Sequence, residues 1–132
     1  MDTNIILDWL GEREPHFKWA KELFSKGEEN EIEILVSAIS FIYTQYILRK
    51  QIGKEKAKQT LAAMRTITTV CASSEKEIDL ALVSSFSDFE DAFQYYSALN
   101  NSAKVIITRN PKDFKNSSIP IMNAEEYLKS VE

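Results

Sequence analysis

Four short runs rich in β-branched and aliphatic residues punctuate the chain: EIEILVSA at 31–38, TITTVCA at 66–72, KVIITRN at 104–110 and IPIM at 119–122. Segments with helical character separate them, at 4–10, 15–26, 40–50, 53–65, 73–86, 88–101 and 123–131. This alternation constrains the fold more than any other feature. Strands joined by helical crossovers run parallel, and a parallel sheet buries both faces under helices. The pattern therefore predicts an α/β domain with a central parallel sheet. Pro15 suits the first turn of 15–26, which presents Phe17, Ala20, Leu23 and Phe24 on one face. Phe41, Tyr43, Ile47 and Leu48 mark 40–50 as buried, and Gly53 ends that segment. Phe89, Ala92, Phe93, Tyr96 and Leu99 do the same for 88–101. No linker divides residues 1–132, which read as a single domain.

Charge and cysteine usage narrow the functional classes. The single cysteine, Cys71, cannot form an internal disulfide, and a reducing compartment is its natural setting. In TVCA it reads as a small packing residue. The longest uncharged run, Ile34 to Leu48, is too short for a membrane span, and no leader-like segment opens the chain. A soluble cytoplasmic protein is expected. His16 reads as a surface residue, and Asp8 as solvent-facing on its helix. The net charge of −4 argues against general nucleic-acid binding. Residues 49–65, however, carry six basic side chains against one acid, a net of +5. Such a face can grip phosphate, or it can be an ordinary solvated helix surface.

In open parallel sheets, ligands bind beyond the carboxyl ends of the strands. Ser37, Thr108, Arg109, Asn110 and Asp113 follow strand-like runs and become candidates. The stretch SDFEDAFQYY, 87–96, adds crowded carboxylates. Ser87 and Glu90 fit an S-x-x-E capping box, and Asp88 falls in the first turn, where a negative charge suits the helix dipole. Asp91 has no clear local purpose. It lies at the border of the apolar face, whereas Glu90 points away.

The combination of DTNIILD, DFEDAFQYY and TRNPKDF, with VSAISFIYTQYILRK between, resembles a PIN domain across nearly the whole chain. The resemblance implies a three-layer α/β/α fold around a parallel sheet. It also implies a Mg²⁺- or Mn²⁺-dependent endoribonuclease, as in the toxin halves of VapBC-type toxin–antitoxin modules. Hard divalent cations need convergent oxygen ligands. Matched position by position, the metal-binding and catalytic acids fall on Asp2, Asp91 and Asp113. Asn4, Asp88, Thr108 and Asn110 form a second tier. Arg49, Lys50, Lys54, Arg109 and Lys112 are the implied RNA contacts. RNA, an antitoxin-like protein and a second copy of the chain are the implied partners. From the residues alone, Asp2 can equally cap a helix, Asp91 can be a first-turn acid and Asp113 can cap a turn.

Two departures from the family pattern stand out. Tyr43 occupies the position where many relatives carry a fourth acid, and a phenol of pKa about 10 does not replace a carboxylate at pH 7. Only Met1 precedes Asp2, where the family places a short central strand. The expectation is either an upstream apolar segment in the natural chain or a sheet lacking its central strand, rebuilt by exchange with a second subunit. Three readings follow: the nuclease, a non-catalytic PIN fold that binds RNA or protein, and a plain interaction module built on the aromatic helices.

Overall fold

The computed structural model describes all residues, 1–132. Seven α-helices surround four short strands. In chain order they are α1 (Thr3–Leu10), α2 (Phe17–Glu28), β1 (Leu35–Ser37), α3 (Ala38–Ile52), α4 (Lys54–Thr66), β2 (Thr69–Cys71), α5 (Glu75–Leu82), α6 (Phe89–Asn100), β3 (Ile106–Ile107), β4 (Ile121–Met122) and α7 (Ala124–Ser130). A 3-10 turn, Pro111–Phe114, links β3 to β4. The strands are parallel, as the alternation predicts.

The expected continuous sheet is divided into two pairs, β1 with β2 and β3 with β4. Ile34 C=O faces β2, where it accepts from Thr69 N–H at 2.8 Å. Ladder groups alternate in direction along a strand, so Leu35 C=O faces away from β2. Ile106 N–H likewise donates to Pro120 in β4's approach at 3.0 Å, which turns Ile107 the other way. Residues 1 and 2 span the gap: the Met1 α-amino group donates to Leu35 C=O at 3.0 Å, and Asp2 N–H to Ile107 C=O at 2.9 Å. Beyond them the cleft holds a cavity of about 400 Å³ lined by Leu23, Leu35, Ala98, Val105 and Ile107 among others. The facing edges have no ladder to extend them. This explains why the strand-like runs 31–38 and 104–110 shrink to Leu35–Ser37 and Ile106–Ile107.

α1 holds the two halves together through consecutive residues. Ile5 packs with Ala20, Leu23, Ile107, Ala124 and Leu128. Ile6 packs with Phe24, Ile34, Val36 and Met64. Trp9 stacks on Phe24 with ring centroids 3.9 Å apart. A third cluster, Tyr95, Ile106, Phe114 and Ile119, closes the far side of β3. Two helix starts follow local signals: Ser74 with Glu77, and Asn123 with Glu126, form reciprocal capping boxes. Gly53, at φ 87°, ends α3 and opens α4 in a conformation that favours glycine.

Several expectations need correction. α3 buries Ser40, Thr44 and Leu48, while Tyr43 is exposed. Phe89 and Leu99 of α6 are exposed too, because α6 meets the body through Ala92, Phe93, Gln94 and Tyr95. His16 is half-buried beside a second cavity that Asp8 also lines. Asp8 is fully buried, not solvent-facing.

Candidate functional site

Asp2 caps α1 by accepting from Thr3 N–H at 2.7 Å. The same carboxylate has two distant partners. Its Oδ2 accepts from Thr108 Oγ1 at 2.7 Å, and its Oδ1 accepts from Gln94 Nε2 at 3.3 Å. The helix cap and the links to α6 and β3 therefore meet in one buried carboxylate. β3 delivers Thr108 to this point, and Asn110 N–H donates to the Thr108 hydroxyl at 3.1 Å, which orients it. Next to Asp2, the Thr3 and Ser37 hydroxyls both donate to Ser40 Oγ at the start of α3, at 2.9 and 3.1 Å.

α6 supplies the second wall. Its N-cap is Asp88, whose Oδ1 accepts from Asp91 N–H at 2.9 Å. The expected Ser87–Glu90 box does not form, because the cap lies one residue later. That shift frees Glu90, which turns inward instead of pointing away. Its Oε1 accepts from Gln94 Nε2 at 3.2 Å, one turn along the helix. The Gln94 amide thus joins Glu90 to Asp2, a link that no local sequence signal announces.

The electrostatics tie these carboxylates together. Asp91 is pushed up to about 7 by burial first, then by the charges of Asp88, Asp2, Asp113 and Glu90. Glu90 is raised as well, by burial and by Asp2 and Asp88, against the hydrogen bond from Gln94. None of the molecule's three ion pairs involves these five acids. Asp113, on the 3-10 turn, and Asp88 are exposed, whereas Asp91 and Glu90 are half-buried. Their all-oxygen chemistry and unbalanced charge suit a hard divalent cation. Yet no three His, Cys, Asp or Glu side chains stand together as a ready ligand shell. The acids share a field without closing into a coordination sphere.

Of the other expected residues, Asn4 lies half-buried on α1 and Asn110 is exposed after β3. Arg49, Lys50, Lys54 and Lys112 are exposed, with the Lys50 ammonium 4.2 Å from the centre of the Tyr46 ring. Arg109 turns its guanidinium to Asp8, with Nε 3.3 Å from Oδ2. Cys71 is a buried free thiol whose pKa is raised by burial, in keeping with a packing role.

The Asp91 shift has a measurable consequence. A carboxyl near 7 in the fold, against an ordinary value of 3.8, binds a proton that the unfolded chain has already released. The folded state then loses stability as pH rises from about 4 through about 7. Without added metal, melting temperatures should fall between pH 5 and pH 8. A flat profile across that interval would show that Asp91 is not crowded by its neighbours.

The PIN domain family profile matches residues 1–112. A curated relative, "Ribonuclease VapC1" of Aquifex aeolicus (strain VF5), is 26% identical over 132 residues, covering 96% of this chain and 90% of the relative. No solved structure matches. No helix is long and apolar enough to cross a membrane. With its parallel strands, its Asp2–Thr108 pair and its acid-rich start of α6, the chain belongs to the PIN domain family.

Proposed function

We propose that the protein is a divalent-metal-dependent endoribonuclease of PIN type, the toxin component of a toxin–antitoxin pair. The observation that carries this reading is Asp91, pushed up to about 7 beside four other carboxylates, Asp2, Asp88, Glu90 and Asp113, none of them in an ion pair. A stable fold gains nothing from such repulsion, whereas a cation would relieve it. The similarity to a VapC ribonuclease supports RNA as substrate and a small antitoxin-like protein as partner.

Asp2, Asp91 and Asp113 would hold Mg²⁺ or Mn²⁺. When bound, the ion supplies charge neutralisation at the phosphate and lowers the pKa of water. Thr108 and Gln94 fix the Asp2 carboxylate. The exposed Arg49, Lys50 and Lys54 steer the RNA backbone towards the acidic site.

The alternative, a PIN fold that binds RNA without cutting it, is favoured by two observations. Tyr43 replaces the fourth acid and is exposed, and no ready ligand shell is formed. Purified protein separates the two readings. Single-stranded RNA should be cleaved with Mn²⁺, and EDTA should abolish the cleavage. Retention of RNA with no cleavage in any divalent ion would establish the alternative. Added Mn²⁺ should also raise the melting temperature more at pH 8 than at pH 5, because the ligands are then free of protons.

A further inference from the structure

We propose that Asp8 is a positioning residue for this site, acting through Arg109; the inference rests on the nuclease reading above. Asp8 lies in α1 with no accessible surface, and its one ion pair is with Arg109, 3.3 Å away, ahead of the weaker influence of His16 and Arg13. Neither carboxylate oxygen of Asp8 makes a hydrogen bond, nor does Arg109 Nε. Charge alone holds the pair. An apolar pair of similar volume would pack this position at no greater cost, so packing does not explain it.

The position of Arg109 does. It is flanked by Thr108, which donates to Asp2, and by Asn110, whose N–H donates to Thr108. The segment after β3 therefore crosses α1 held at two points, Asp2 and Asp8. They are six positions apart, about 9 Å along a helix axis. Thr108 is also tied through its N–H to Met122 C=O at 3.0 Å, so without Asp8 only the chain beyond Thr108 is left free to turn. Two points fix its direction, and with it the aim of the Asp2 carboxylate and the approach of Asp113 three residues beyond Asn110. The family motif drew attention to Asp2 and Thr108, but nothing in it assigns Asp8.

The test is Mn²⁺ binding by the full chain, read from the electron paramagnetic resonance signal of free Mn²⁺ at a temperature where every variant is folded. Asp8→Asn should weaken Mn²⁺ binding by about 10–100-fold, as expected for a residue that orients a ligand. Arg109→Lys, which keeps the charge but loses the guanidinium, should fall between the variant and the wild type. A substitution at Met64, buried in the core around Ile6, is chosen to match the melting-temperature loss of Asp8→Asn. It should leave Mn²⁺ affinity unchanged. Wild-type affinity in Asp8→Asn overturns the proposal, and so does an equal loss in the Met64 variant. If the wild type binds no Mn²⁺, the nuclease reading falls and this inference falls with it.

Discussion

Asp91→Asn should cut RNA cleavage by at least about a hundredfold, the scale expected when a carboxylate directly serving the ion is neutralised. The same substitution should raise the stability of the metal-free protein. Asp91 is pushed up to about 7 by burial and by Asp88, Asp2, Asp113 and Glu90. Its ionised form is therefore unfavourable in the fold, and the penalty is complete only above about pH 7. Asparagine keeps the shape and removes the charge. The melting temperature should rise at pH 8 and stay near the wild-type value at pH 4, where Asp91 is already neutral in the fold. Opposite signs for activity and stability are the signature of a group kept for chemistry rather than for folding. A variant that loses both would place Asp91 among the structural residues. The discriminating data are melting curves at the two pH values beside a cleavage assay.

Arg109→Met should be among the most destabilising single changes in the molecule. It strands the buried Asp8 carboxylate, and breaking one side of a buried pair costs about 3–5 kcal/mol. For a domain of this size that corresponds to a fall of about 10 °C or more in melting temperature. Burial already raises the Asp8 pKa, and Arg109 is the first of the charges that counter it. Without Arg109, Asp8 escapes the penalty by taking up a proton, and the fold holds that proton at pH values where the unfolded chain has lost it. The deficit should therefore grow as pH rises from about 4. Adding Asp8→Asn to Arg109→Met should recover part of the stability at pH 8, since the stranded charge is gone. Urea denaturation of the single and double variants at pH 5 and pH 8 measures this. Equal losses at both pH values would mean that Asp8 carries no charge in the fold.

What could be read from the sequence divides along the line between local and long-range physics. The Ser74–Glu77 and Asn123–Glu126 caps span three residues, and their chemistry is visible in the letters. The alternation of strands and helices is also local, and the parallel arrangement follows from it. Asp2 and Thr108 stand 106 positions apart, and no periodicity relates them. Only the combination of motifs marked both. Asp8 is buried against expectation because a helical wheel shows a face but not the arginine that covers it. Glu90 turns inward because the cap of α6 falls on Asp88 and not on Ser87, which releases Glu90 from a capping role and leaves it within reach of Gln94 one turn on. The strands came out short because β-branched residues favour a ladder but cannot supply the neighbour that completes it.

The bridge at residues 1 and 2 has a practical corollary. The amino group of Met1 sits inside the cleft against Leu35, while Val131 and Glu132 lie open at the other end of the chain. A purification tag joined to Met1 would have to thread its first residues out between the two strand pairs, beside the carboxylate of Asp2. Fusion after Glu132 leaves that corner untouched, and activity measured on differently tagged protein is comparable only when this is respected.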